Sequence, residues 1–546
     1  MLRCLLVLFV SVVAGACPKK VSENAAKIRP NYDRKTGKES FTADKSSGRN
    51  SGLQIYRGDF VHSKNFEEYE KLLDHVIVVQ DGLITSVLAA TPGNLSILQR
   101  DYSLWASDLK RHVDGFRFWL PGFIDTHVHY SQLWNRGLGT DLPLLPWLKQ
   151  FTFPLEDFFV NSGRMDIPTY RAFVDIAYTR AIQHYLSMGI TSAMIYATSD
   201  TNSTLRLARL CGHYGQRCFV GKVNMDHDDG RGERYHVYEE LEEGYKETVR
   251  FLREMEELDC VRSGLVAPVI TPRFALACSD EMLKRLGKLA SEKNLLIQTH
   301  MSENPTEIKE VEERFGKSYP QVYRDAGLLT NRTVLAHCVH MNKTHLDMVM
   351  ESGATCAHCP TSNFQLGSGI APISWYKSQG LGRIGLGSDV SGGWAVSMLE
   401  VMKSAIMASK SLSFVHGSDP DWEPLTYVNT LFMATIGGAE ALKLSSKVGR
   451  FEPGYEFDAV LVDPYGDVTS PLDSEMDMDI LDVTKHSSVD ENLQKFIMTG
   501  DNRNIVEVWV KGERAVPFRP PPEWQAPAPP KVPLRERRRQ RGTATA

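Results

Sequence analysis

The chain has 546 residues, 42% of them hydrophobic and 24% charged, a balance ordinary for a globular protein with a large core. Its formal net charge of −5 argues against nucleic acid or an anionic membrane as the main partner. The nine cysteines are scattered and odd in number, which is no disulfide framework and fits a reducing compartment.

The start, MLRCLLVLFVSVVAGAC, has one early Arg, an apolar run from Leu5 to Val13 and small residues at Ala14-Gly15-Ala16. That is the layout of a secretory signal, too short for a comfortable membrane span. Cleavage would send the protein outside the cytosol, with Asn202 and Asn331 among the glycan acceptors. The cysteine pattern gives secretion no support, so the cytoplasm is the expected compartment and secretion the alternative. Residues 1–51 read as an N-terminal extension, polar and Lys- and Ser-rich after Pro18 and expected to be disordered.

Residues 52–120 carry short apolar runs such as HVIVVQDGLITSVL, with a hairpin cue at Asp81-Gly82. They predict the first part of a small β-sandwich. Residues 121–445 alternate strand-like and amphipathic helix-like segments. The strand candidates are FIDTHVHY, ITSAMIYA, CFVGKVNM, LVAPVITPRF, LLIQTHMS, TVLAHCVH, ATCAHCP and RIGLGSD. Strand then helix, repeated, means a parallel sheet, and continuous apolar strands mean that both faces are buried. Eight candidates predict an α/β fold, a (β/α)8 TIM-type barrel, with a doubly wound sheet as the alternative. Residues 446–518 return to a β pattern, predicting the second part of a flanking β-sandwich built from both ends of the chain. Residues 519–546 are Pro-rich and then basic, and read as a disordered, solvated tail.

The chemically promising residues fall at the C-terminal ends of the candidate strands, where barrel enzymes place their sites. His127 and His129 share one face of a strand, and paired imidazoles suit zinc or iron(II). His300, His337 and Asp389 end later strands. A catalytic zinc needs three or four protein ligands, and His127, His129, His300 and Asp389 supply them. Such a metal would lower the pKa of a water to about 7, and Asp389 can take that water's proton. Glu303 can carry a proton from water to a leaving nitrogen, while His337 would polarise the water or a developing oxyanion. Arg273 can donate to a substrate carbonyl, and Phe274 offers a face to a planar ring. Singly, each of these reads as a structural histidine, a helix cap or a surface acid. Their convergence on one rim favours a site. Cys356-Ala357-His358-Cys359 could be half a structural zinc site or a redox pair. No second cysteine pair follows, and buried thiols are the better reading. The zinc-deaminase signature H-x-E followed by P-C-x-x-C is absent.

PGFIDTHVHYSQ, DLPLLPWLKQFTFP, FVGKVNMD, VITPRFALACS, QTHMSE, LAHCVH, AHCPTSN and GLGSDVSGGWAVSML together resemble the amidohydrolase superfamily and, within it, the guanine deaminase family. The likeness runs from Gly52 to Phe518. It implies a cytosolic homodimer with one Zn2+ per subunit, held by His127, His129, His300 and Asp389. It implies hydrolysis of guanine to xanthine and ammonia, with guanine and water as the partners and neither nucleic acid nor membrane. Glu303, His337 and Asp389 would be catalytic. The substrate would lie among His129, Gln132, Arg273, Phe274, His300, Glu303, His337 and Asp389, with Gln132 and Arg273 on the purine edge. The fourth candidate strand holds no Lys, so no bridging carbamylated lysine is implied. A deaminase of another purine, a pterin or a triazine is the near alternative, and an inactive barrel acting as a scaffold the distant one. The signal-like start and the basic tail depart from the family pattern.

Overall fold

Alternating apolar residues open the structure as strands β1 (Leu53–Ser63), β2 (Tyr69–Gln80) and β3 (Leu83–Ala89), followed by β4 (Lys110–His112) and β5 (Phe118–Pro121). The structure is a computed structural model that describes residues 52–102, 110–112, 117–160, 165–228, 235–465, 481–483 and 487–518. The signal-like start, the N-terminal extension and the basic tail lie outside the described residues. Asp81 and Gly82 join β2 to β3 with φ of 52° and 84°. Two positive-φ residues make the hairpin turn whose twist matches its strands.

The barrel strands are β6 (Phe123–His129), β7 (Ile190–Tyr196), β8 (Arg217–Gly221), β9 (Val223–Asn224), β10 (Val266–Pro272), β11 (Leu296–Met301), β12 (Thr333–His337), β13 (Thr355–His358) and β14 (Ile384–Leu386). The hydrogen-bonded order is β6-β7-β8-β10-β11-β12-β13-β14, with β9 beside β10. All these pairs are parallel. A doubly wound sheet would place its first strand in the middle, so this order excludes that alternative. The last gap closes by single bonds. Thr126 Oγ1 donates to the Leu386 carbonyl at 2.8 Å, and the Asp389 N–H donates to the His127 carbonyl at 2.9 Å. Gly387 permits that close approach, because a Cβ there would meet the His127 Cβ at 2.8 Å.

Amphipathic helices such as Leu241–Glu256 and Asp280–Lys293 cover the outside. The floor is a layer from successive strands: Ile124, Met194, Phe219, Val269, Leu296, Val334 and Ala357. It is sealed from below by Leu442, Leu444 and Val448. Each such side chain stabilises by roughly 1.5–3 kcal/mol when fully buried. The floor keeps water out at one end and leaves the other end for chemistry.

Strands β15 (Ala459–Val462), β16 (Ile505–Val510) and β17 (Glu513–Val516) complete a second sheet, ordered β17-β16-β15-β5-β1-β2-β3, with β4 pairing β1. The seam between the two ends of the chain is the antiparallel pair β5–β15, from Ala459 opposite Pro121 to Val462 opposite Phe118. The sheet folds over itself, for Gln54 Nε2 donates to the Gly512 carbonyl at 2.9 Å. Tyr56, Phe60, Trp119, Phe457 and Trp509 fill the fold, with Tyr56 and Phe457 stacked at 4.4 Å between centroids. The two-ended β domain predicted from sequence is thus present. Arg217, buried at the start of β8, ties it to the barrel through Glu456 at 2.6 Å and Asp458 at 3.0 Å. No helix among the described residues is long and apolar enough to cross a membrane.

Candidate active site

The open end of the barrel gathers His127, His129, Gln132, Arg273, Phe274, His300, Glu303, His337 and Asp389. His127 and His129 leave β6 together. Beneath them the Asp125 carboxylate accepts the His127 N–H at 3.1 Å and the Ser388 N–H at 3.0 Å. Burial pushes Asp125 up to about 7, opposed by the Ser388 hydrogen bonds. This clip fixes the end of β14 against β6 and so fixes Asp389 against the histidine pair. Three residues here have positive φ although none is glycine: Ser302 at 51°, His337 at 72° and Asp389 at 45°. Such backbone costs roughly 1–2 kcal/mol per residue and persists where surrounding structure enforces it.

Asp389 Oδ1 lies 3.0 Å from His127 Nε2 and 3.3 Å from His129 Nε2. His129 Nε2 lies 3.3 Å from His300 Nε2. His300 Nδ1 meets the Arg273 carbonyl at 2.6 Å, and His337 Nδ1 meets the Asn363 amide oxygen at 2.9 Å. Both partners accept, so both Nδ1 atoms carry the proton and both Nε2 lone pairs point inward. Burial lowers the histidine pKa values, His127 below its ordinary value, His129 to about 4 and His300 well below. These rings are therefore neutral at pH 7. Burial alone would raise Asp389, but His127 and His129 hold it well below the usual carboxylate range. His127 Nε2 and His337 Nε2 are buried without a hydrogen-bond partner.

Convergent imidazole lone pairs around one carboxylate are the donor set of a divalent cation. The ligand atoms of His127, His300, His337 and Asp389 all lie within 4.8 Å of one another. That grouping holds His337 where the sequence placed His129, yet His129 Nε2 is equally close to Asp389 and His300. Spacing alone does not divide these five groups into ligands and a neighbour.

Glu303 follows β11. Its Oε2 lies 3.4 Å from His337 Nε2, and its Oε1 accepts from Ser368 Oγ at 3.1 Å. Burial, then the Asp389 charge, push it up to about 8. Glu307 steadies the turn, accepting the Glu303 N–H at 3.0 Å, the Asn304 N–H at 3.2 Å and the Tyr319 hydroxyl at 2.6 Å.

Above these groups opens a small cavity. Leu144, Trp147, Leu148, Phe274 and Leu366 give it apolar walls, and Gln132, Arg273 and Glu303 face it. The Arg273 guanidinium sits 5.0 Å from the Phe153 ring centroid. Its Nη1 donates to Glu156 Oε2 at 2.5 Å. Gln132 Nε2 donates to Glu156 Oε1 at 2.8 Å. Sequence reasoning passed over Glu156, whose one signal was its place two residues after the end of the DLPLLPWLKQFTFP block. Cys356 and Cys359 are buried, and the seven described cysteines are free thiols.

A family model described as Amidohydrolase family matches residues 118–515. The guanine deaminase of Homo sapiens is 38% identical over 467 residues, covering 85% of this chain and 97% of that protein. That of Dictyostelium discoideum is 33% identical over 473 residues, covering 85% and 98%. A crystal structure of the C. acetobutylicum guanine deaminase with guanine bound in its active site superposes with a TM-score of 0.73, at 31% identity. It covers 85% of this chain and 99% of that one.

Proposed function

The chain belongs to the amidohydrolase family, and we propose that it hydrolyses guanine to xanthine and ammonia. One observation carries this reading. A cavity at the open end of the barrel places a guanidinium and an amide on its wall and a cluster of imidazoles, a carboxylate and a high-pKa glutamate on its floor. The guanine deaminases similar over most of the chain support the choice of ring.

The metal we propose is one zinc per subunit. His127, His129, His300 and Asp389 would hold it, with His337 beside the attacked carbon, and zinc supplies the Lewis acidity that makes water nucleophilic near neutral pH. The inward Nε2 of His127, buried without a hydrogen-bond partner and 3.0 Å from the Asp389 carboxylate, supports a cation there. The protein's own groups do the rest. Phe274 and Trp147 hold the ring flat, and the leucine walls keep bulk water out. Arg273 donates to the six-oxo oxygen, which adenine lacks. A buried donor left unpaired discriminates strongly against the wrong base. Water adds across the C2–N3 bond, its hydroxyl going to C2 and one proton, carried by Glu303, to N3. Asp389 takes the second proton as the C2 carbonyl forms, and Glu303, with a pKa raised to about 8, passes it to the amino nitrogen, which leaves as ammonia. His337, its Nε2 lone pair turned inward, accepts a hydrogen bond from the attacking water and so polarises it.

Steady-state assays with guanine, adenine, cytosine, a pterin and a triazine test the reading. Turnover of another ring with guanine untouched refutes it. A scaffold role predicts purified protein without stoichiometric metal, which elemental analysis reads. For compartment we propose the cytoplasm, on the free thiols, against secretion. Mass spectrometry of the mature N-terminus decides. For assembly we propose a homodimer, on the family resemblance, and light scattering measures it.

A further inference from the structure

Glu156 has no role in the reaction described above, yet it is among the most enclosed acids of the chain, at 1% exposure. It ends the short helix Phe153–Glu156, and the first residue of that helix is the ring beneath the Arg273 guanidinium. It does not line the cavity. Its two oxygens are instead spent on the two wall groups that do, Oε2 on Arg273 and Oε1 on Gln132. Gln132 has a further tether, since the Ser391 N–H donates to its Oε1 at 3.4 Å. A flip of that amide would lose both bonds at once and exchange the donor and acceptor shown to the ligand.

We infer that Glu156 is the positioning residue for substrate recognition, one carboxylate that aims the Arg273 fork and sets the sense of the Gln132 amide. This rests on the guanine reading. The physical case is a division of labour. Arg273 has five N–H donors in a rigid plane. With Nη1 drawn back to Glu156 and the face packed on Phe153, the remaining donors are held toward the cavity. The carboxylate also balances the guanidinium charge in a dry site, so that a neutral oxo group can be recognised without an anion being attracted in its place.

The test is Glu156→Gln, assayed with guanine and with 2-aminopurine, which lacks the six-oxo oxygen and the N1 proton and whose fluorescence reports binding whether or not it is turned over. A misaimed donor weakens a contact made in ground state and transition state alike. The expected result is therefore a KM for guanine raised about 10- to 100-fold, with kcat per folded enzyme changed far less. The 2-aminopurine dissociation constant should rise by a clearly smaller factor, about threefold at most, because its ring loses only the Gln132 contact and never used that of Arg273. Parallel weakening of both ligands, a fall in kcat alone, or an unchanged KM for guanine each overturns the proposal. Both readouts are normalised to the folded fraction. If Glu156→Gln is insoluble, Glu156→Asp, which keeps the charge but shortens the reach, is read the same way. Wild-type protein that leaves guanine untouched sinks the substrate reading itself, a result distinct from guanine turnover that ignores residue 156.

Discussion

Replacing Glu303 by Gln probes the chemistry most directly. The amide is nearly isosteric, and its oxygen can keep the Ser368 hydroxyl that now donates at 3.1 Å. The turn is held by Glu307 through the backbone N–H groups of residues 303 and 304 and does not depend on the Glu303 side chain. What disappears is the ability to take up and release a proton 3.4 Å from His337. A positioned acid–base group contributes about 10²- to 10⁴-fold, which is roughly 3–5 kcal/mol of activation barrier. Glu303→Gln should therefore lose at least about 100-fold in kcat while its zinc content stays at the wild-type level. Xanthine formation gives the rate and elemental analysis gives the metal. A kcat within about threefold of wild type at full zinc occupancy would place the proton route elsewhere. Loss of zinc would show that Glu303 is a ligand and refute the division of roles.

Asp389→Ala should lose both zinc and turnover, since this carboxylate touches His127 and His129 together; full metal content in the variant would contradict its assignment. Prolonged chelation should abolish activity and zinc readdition restore it, whereas activity indifferent to chelation would count against metal chemistry. Burial and then Glu303 raise Glu307 to about 7 from an ordinary 4.5. Its contribution to stability is therefore present below its unfolded value and lost as pH rises through about 7. The melting temperature of Glu307→Gln relative to wild type should accordingly be higher at pH 8 than at pH 5, on the order of one to a few degrees, and an identical difference at both pH values refutes this. Arg217→Ala strands Glu456 and Asp458 and should destabilise by about 3–5 kcal/mol in chemical denaturation, with an effect under about 1 kcal/mol showing that the tie between barrel and sheet is dispensable.

The barrel was legible because its strands are buried on both faces and so appear as unbroken apolar runs. Each of the eight candidate segments contains a barrel strand. His127, His129, His300 and Asp389 were legible for a related reason, since each follows such a run. The seam between β14 and β6 was not legible. It rests on single bonds from Thr126 and Asp389 that no periodicity marks. Asp125 also escaped notice, because a carboxylate inside an apolar strand has meaning only once Ser388 is brought beside it. Glu156 shows the limit most clearly. Its partners stand 24 and 117 residues away along the chain. An acid after an apolar stretch reads as a solvated turn until the fold places an arginine over it. Nor could residue spacing separate His129 from His337, since both end strands and both face Asp389.

The pairing of Pro121 with Ala459 has a consequence for biosynthesis. A ribosome delivers β5 long before its neighbour exists, and the whole barrel must emerge in between. Until β15 arrives, the nascent protein carries a naked apolar ribbon edge, the kind of surface that recruits the wrong strand. Premature termination before residue 459 would release a complete cylinder still wearing that edge. Such fragments should aggregate or be captured by chaperones, although every group of the reaction centre had already been made.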